Sequence, residues 1–276
     1  MKRYLNRFHC VLICLSYLLI SSSSAQTSES LFMRVDYINT KDTSDKGDTY
    51  LKIESELWKP IHEERVRRGI VLYRGLYNVI AGEPDVRYDY IVVSVYDDFA
   101  KLDGYRLEEI VAVVYPSDKP EEIIRQTNLT REVVQTEIWQ VNGAIVPEDT
   151  RMPGGKYVTV NFFDARSGSG EHTELEFEFW GRIHELRIEG DILNSWAMYT
   201  LLYPEGDVMD YTYSTIDYYN NLGDLVQPVG MELARVAHPD LTDEELGDYF
   251  NRTGAARSLY KTELWKLVSS VSIDDK

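Results

Sequence analysis

The chain has 276 residues, 43% of them hydrophobic, and a formal net charge of −17. That excess of acid excludes the electrostatics of nucleic-acid or anionic-membrane binding, which need clustered Lys and Arg. The length suffices to bury a sizeable core without covalent staples.

Residues 1–25 read as a secretory signal peptide. Lys2, Arg3 and Arg7 precede an apolar run from Phe8 to Ile20, and Ser23-Ser24-Ala25 supplies small residues before Gln26. The run is too short to span a bilayer as a stable anchor, and Ile13 before Cys14 argues against lipoprotein processing. Cleavage would remove three positive charges and both cysteines, Cys10 and Cys14. The expectation is an exported protein without disulfides, secreted or periplasmic.

Residues 31–38 alternate and predict a strand, followed by a turn-rich loop from Asn39 to Asp48. Asp42, Ser44, Gly47 and Asp48 sketch a calcium loop, but Lys46 takes a ligand position and no terminal Glu is in register, so a solvated acidic loop is expected. A helix then carries Ile53, Leu57, Trp58, Ile61 and Val66 on one face. Strands are expected over 70–80 and 88–96, joined through Gly-Glu-Pro-Asp at 82–85. A second helical region over 98–114 stops at Pro116, and a short helix leads to Thr136-Glu137-Ile138-Trp139.

The same order then repeats. Glu54-Ser-Glu-Leu-Trp58-Lys-Pro-Ile61-His62-Glu63-Glu-Arg65 returns as Glu176-Phe-Glu-Phe-Trp180-Gly-Arg-Ile183-His184-Glu185-Leu-Arg187, shifted by 122 residues. A strand at 157–163 answers the first, 193–203 and 210–216 answer the hairpin, and 218–237 answers the second helical region, stopping at Pro239. Thr262-Glu263-Leu264-Trp265 closes the copy. Such self-similarity means an internal duplication, with units over 26–141 and 157–276 and a linker over 142–156.

Each unit reads strand, helix, strand, strand, helix, strand, which right-handed crossovers turn into a four-stranded antiparallel sheet with helices on one face. The expected fold class is therefore α+β: two ferredoxin-like βαββαβ repeats whose sheets pack face to face as an intramolecular α/β barrel. On that topology and duplication the chain resembles the dimeric α/β-barrel superfamily, fused in tandem. The resemblance implies a range of roles, from cofactor-independent monooxygenases and isomerase-like enzymes to haem proteins, but no diagnostic motif carries a site residue across. A fused pair implies a monomer acting as a pseudo-dimer.

His62 and His184 are the candidate catalytic residues. Arg65 and Arg187, three positions on, disfavour a second positive charge and push each imidazole toward its neutral form. The bland alternative is a core histidine bonded to a carbonyl. Trp58, Trp180, Arg65, Arg187, Tyr73, Tyr77, Trp196 and Tyr199 are the candidate ligand-binding residues, walls of a cleft between helix and sheet, with packing anchors as the bland alternative. His62-Glu63 and His184-Glu185 begin like a zinc-protease helix, but no second His follows, so no metal is expected. There is no phosphate loop, nucleophile elbow or cysteine nucleophile. Asn128-Leu-Thr and Asn251-Arg-Thr match glycosylation acceptors, though a cap or turn into the last strand is the plainer expectation.

The expected partner is a small, largely apolar molecule, with no nucleic acid and no membrane after cleavage. The alternatives are a cofactor-independent enzyme with a His base, monooxygenase or isomerase-like, a haem-binding barrel with an axial His, or a domain with no ligand.

Overall fold

A computed structural model describes residues 30–41, 48–83, 86–103, 106–165, 169–206, 209–227 and 229–275. The signal peptide and the Asp42–Gly47 loop expected from sequence lie outside these residues.

Eight strands form a closed antiparallel barrel: β1 (Phe32–Thr40), β2 (Tyr73–Ala81), β3 (Tyr90–Tyr96), β4 (Arg131–Ile145), β5 (Tyr157–Asp164), β6 (Ser195–Tyr203), β7 (Tyr213–Tyr219) and β8 (Ser258–Ser272). Their order around the ring is β1-β3-β2-β8-β5-β7-β6-β4, with β4 closing onto β1. Residues before the linker thus give the order β4-β1-β3-β2 and those after it β8-β5-β7-β6. The expected α+β class and barrel are present. The sheets do more than face each other, however: they are joined edge to edge where β2 pairs with β8 and β4 with β6. Closure removes strand edges that water or another chain would otherwise have to satisfy.

β1 and β5 alternate in burial, as expected for strands with one face inward, whereas every residue of β3 is buried between the barrel interior and the helices outside. Both long strands carry a bulge at the same place, opposite Tyr37/Ile38 in β1 and Phe162/Phe163 in β5. β4 runs to Ile145, so the first four residues of the expected linker are strand, three of them, Gly143, Ala144 and Ile145, paired with β6.

The repeated motif is helical in both copies, but not one regular helix. α1 (Asp48–Ile53) passes through a π-helical turn, Glu54–Trp58, into α2 (Lys59–Arg67). The second copy runs from Ser169–Leu175 through the π turn Glu176–Trp180 into Gly181–Glu189. The extra residue in each π turn rotates the face and brings Glu54 and Glu176 inside, at 3% and 2% exposure. The expected second helical regions are each broken into a short 3-10 turn, Phe99–Leu102 or Leu222–Val226, and a shorter helix, α3 (Leu107–Val114) or Met231–Ala237. A further helix precedes each long strand: α4 (Pro120–Thr130), and Asp243–Ala256, which opens with a Thr242/Glu245 capping box. Asn128 and Asn251 lie within these helices and cap neither. Among the described residues no helix is long and apolar enough to cross a membrane.

Candidate functional site

The repeated Trp and His lie where the helices meet the outer face of the barrel. Trp58 Nε1 donates to Thr127 Oγ1 at 2.7 Å, and Trp180 Nε1 to Thr253 Oγ1 at 3.0 Å. Each indole thereby ties its motif to the helix before the last strand, as an anchor would.

His62 and His184 are buried, at 6% and 7% exposure. Arg65 Nη1 lies 3.3 Å from His62 Nδ1, and Arg187 Nη1 lies 3.2 Å from His184 Nδ1. A guanidinium can only donate, so Nδ1 accepts and each ring is the neutral tautomer with its proton on Nε2. Burial, reinforced by the neighbouring arginines, holds His62 well below its ordinary value and His184 down at about 3. Neutrality was expected from the arginine spacing; burial is its larger cause.

The rings are also covered. His62 stacks on Trp58 at 5.6 Å, and His184 on Trp196 at 4.9 Å. Around them the layer is polar: Arg74 pairs with Glu54 at 2.6 Å, Arg257 with Glu176, and Arg187 lies 3.7 Å from Asp217. Burial raises Glu176 to about 7 despite Arg257. An axial haem ligand needs a free ring lone pair and a flat open space beside it. Here Nδ1 is engaged by arginine, Nε2 is protonated, and an indole covers one face of the ring. These residues do not fit a haem.

The tyrosines expected to wall this cleft sit on the other side of the sheet. Tyr73, Tyr77 and Tyr199 pack inside the barrel with Met33, Val35 and Trp265, whereas Trp196 packs outward with Leu193, Met198 and Ile188. Side chains alternate along a strand, and Trp196 stands at the position equivalent to Arg74, one step out of phase with Tyr73. Inside, Tyr73 and Tyr77 share a hydrogen bond of 2.6 Å and Tyr199 and Tyr218 one of 3.0 Å. The expected grouping is therefore split between two sites: Trp58, Trp180, Trp196, Arg65, Arg187 and the histidines outside, Tyr73, Tyr77 and Tyr199 within.

A second polar assembly occupies the barrel interior, at the end where β1 and β5 finish and β4 and β8 begin. Its centre is Glu137 and Glu263, both at 0% exposure. Their equivalence follows from register: Val35 faces Glu137 and Val160 faces Glu263, with Met33 opposite Trp139 and Val158 opposite Trp265. Glu137 Oε2 accepts from Tyr37 at 2.7 Å and Trp139 at 3.0 Å, while Oε1 accepts from Gln135 at 2.6 Å and from Tyr211. Glu263 Oε2 accepts from Trp265 at 2.8 Å, while Oε1 accepts from Lys261 at 2.8 Å and from Tyr88. Burial raises the Glu137 carboxyl, and the hydrogen bonds oppose the rise. Burial, and next the carboxylate beside each, push up the phenols of Tyr37, Tyr88 and Tyr211.

Below lies a void of about 10 Å³, room for about one water, lined by Tyr37, Trp139, Phe162, Trp265 and Ser214 among others. Ser214 is 2% exposed and its Oγ has no hydrogen-bond partner. In the sequence, Thr136-Glu137-Ile138-Trp139 and Thr262-Glu263-Leu264-Trp265 stand out only as marks of duplication. The available signal was parity: Glu137 and Trp139 share a strand face, so a buried Trp implies a buried carboxylate.

No protein-family model matches the chain, and no curated protein matches its sequence. Solved structures do match. A protein provisionally named a monooxygenase, from Fusobacterium nucleatum subsp. nucleatum, superposes with a TM-score of 0.51 at 11% identity, covering 88% of this chain and 94% of that one. A provisionally named chlorite dismutase gives 0.51 at 9% identity, covering 87% and 95%. At such identities the likeness is one of fold: the barrel is of the type seen in chlorite dismutase-like and monooxygenase-like structures.

Proposed function

We propose that this chain is an exported small-molecule-binding barrel whose binding chamber is the end of the barrel built around Glu137 and Glu263. The observation that carries this reading is the pair of fully buried carboxylates held by phenols above a void into which Ser214 turns an unpartnered hydroxyl. Buried carboxylates contribute little net stability relative to apolar side chains, and perturbed groups clustered at the mouth of a barrel mark functional sites. The bulges in β4 and β8 lie at this same rim, where such irregularities concentrate. The helix–sheet cleft, first expected to hold an apolar ligand, is filled by its own ion pairs and stacked rings.

The chain is read as a tandem duplication of a ferredoxin-like unit, 26–141 and 157–276, acting as a monomeric pseudo-dimer. The shared strand order, the paired π turns and the paired bulges support it. Export rests on the N-terminal signal alone, and N-terminal sequencing of the secreted product should begin at Gln26; an intact Met1 would refute cleavage.

The second reading is a cofactor-independent enzyme with His62 or His184 as base. Their neutrality favours it, whereas the engaged Nδ1 and protonated Nε2 oppose it.

The chamber is tested by a thermal-shift screen of small molecules, repeated on Tyr88→Ala and Tyr211→Ala. Hits lost in both variants support the chamber. Hits that persist in both, or their absence across the library, overturn it.

A further inference from the structure

The two seats at this end of the barrel are alike in build but not in charge. In the second, the Lys261 ammonium bonds Glu263 at 2.8 Å and lies 4.7 Å from the centre of the Phe162 ring, 5.7 Å from that of Tyr211 and 5.9 Å from that of Tyr88. This is an aromatic cage closed by a carboxylate, the arrangement that recognises organic cations, and the protein fills it with its own side chain.

In the first seat the register places Gln135 opposite Tyr37, as Lys261 stands opposite Phe162. The carboxylate is present as Glu137 and Tyr37 supplies a ring of its own, while Tyr88 and Tyr211 are shared with the Lys261 cage. Tyr37 and Tyr88 meet edge to face at 4.8 Å, and Tyr211 stacks on Trp139 at 6.0 Å. Only a directly bonded cation is missing: Glu137 is met by a neutral amide at 2.6 Å, and the Lys261 charge acts on it from across the shared rings. Gln135 is half-buried at the rim, next to the exposed bulge residue Val134, so its amide can swing out without unfolding a strand.

We propose that the Glu137 seat binds the ammonium head of a small organic amine, which displaces the Gln135 amide and occupies the position that Lys261 fills in the other half. This rests on the chamber reading above. The aromatic rings would clasp the alkyl or aryl carbon beside the nitrogen while the rest of the amine extends outward past the rim, since the void below Tyr37 and Trp139 holds about one water. The net charge of −17 favours the approach of cations over anions.

Isothermal titration at pH 7 with benzylammonium, and with benzyl alcohol as its neutral counterpart, tests this. The full exported chain should bind one benzylammonium and bind benzyl alcohol at least tenfold more weakly. Gln135→Lys supplies the missing charge internally and should cost at least tenfold in affinity while the melting temperature is held. Lys261→Gln removes the charge that faces the shared rings and should tighten benzylammonium at least threefold. Equal affinity for the alcohol, with binding lost in Gln135→Lys, would overturn the cation assignment and leave the chamber standing. Benzylammonium binding that neither variant changes, or no binding of it at all, would overturn the proposal; the separate library screen then decides the chamber.

Discussion

Tyr211 donates its phenolic hydrogen to Glu137 across the seam between the two halves of the barrel, and Tyr88 does the same for Glu263 in the opposite direction. Each half thus completes the other's buried carboxylate. Tyr211→Phe leaves Glu137 short of a donor, and a hydrogen bond to a charged group contributes about 1.5–3 kcal/mol. Urea denaturation should show a loss of that size. In a double-mutant cycle with Glu137→Gln the two effects should be non-additive; simple additivity would show that the pair does not interact.

Two glycines make opposite demands. A Cβ on Gly155 would stand 2.8 Å from the backbone nitrogen of Tyr219, whereas one on Gly143 would meet only the ring of Phe177, 2.7 Å away and 37% exposed. Backbone cannot step aside; a half-free ring can. Gly155→Ala should lower stability by about 1–3 kcal/mol, and Gly143→Ala by well under half as much, both read by thermal melting.

Stability should depend on pH through His184. Its value in the folded state is about 3, below the 6.5 of the free side chain, so the unfolded chain binds the extra proton. This contribution is intact above pH 6.5 and is lost as pH falls toward 3. Between pH 7 and 4.5 the upper bound is about 2–3 kcal/mol, at 1.36 kcal/mol per unit. Glu176, raised to about 7, acts in the opposite sense between pH 4.5 and 7, because the folded state retains its proton. The clean readout is therefore a difference: His184→Gln should flatten the pH slope relative to the parent protein. Parallel slopes would rule out His184 as a contributor.

The indole–hydroxyl links can be separated from indole packing. Trp58→Phe keeps a ring but loses the bond to Thr127, and Thr127→Val removes the acceptor while keeping the shape. Thr127→Val should cost about 1 kcal/mol, measured by denaturation; Trp58→Phe should cost more because it also leaves space in the core, and adding Thr127→Val to it should cost little further.

Much of the architecture was legible because one pattern of Glu, Trp, Ile, His, Glu and Arg occurs twice in the sequence. Trp58 and Trp180, with their flanking Glu, His and Arg, fix where the copies align, and the strand order follows from general rules of chain crossover. The π turns were not legible, since periodicity cannot show one residue added to a turn when the burial of Glu54 and Glu176 depends on partners, Arg74 and Arg257, far along the chain. By aromatic content alone Tyr73, Tyr77 and Tyr199 read as walls of the helix–sheet cleft, whereas strand alternation turns them into the barrel. Trp196 aligns with Arg74 and so points away from Tyr199. The contrast between Lys261 and Gln135 means something only once the registers of β4 and β8 are known.

Residues 146–156 connect the β1–β4 and β5–β8 strand sets within one chain, so the two sets need not match residue for residue. Separate identical subunits would have to repeat every change, so a lysine gained at one seat would appear at both. In one continuous chain Lys261 can stand where its counterpart is Gln135, and Trp196 where its counterpart is Arg74. Division of labour within a symmetric frame is open to this molecule and closed to a homodimer.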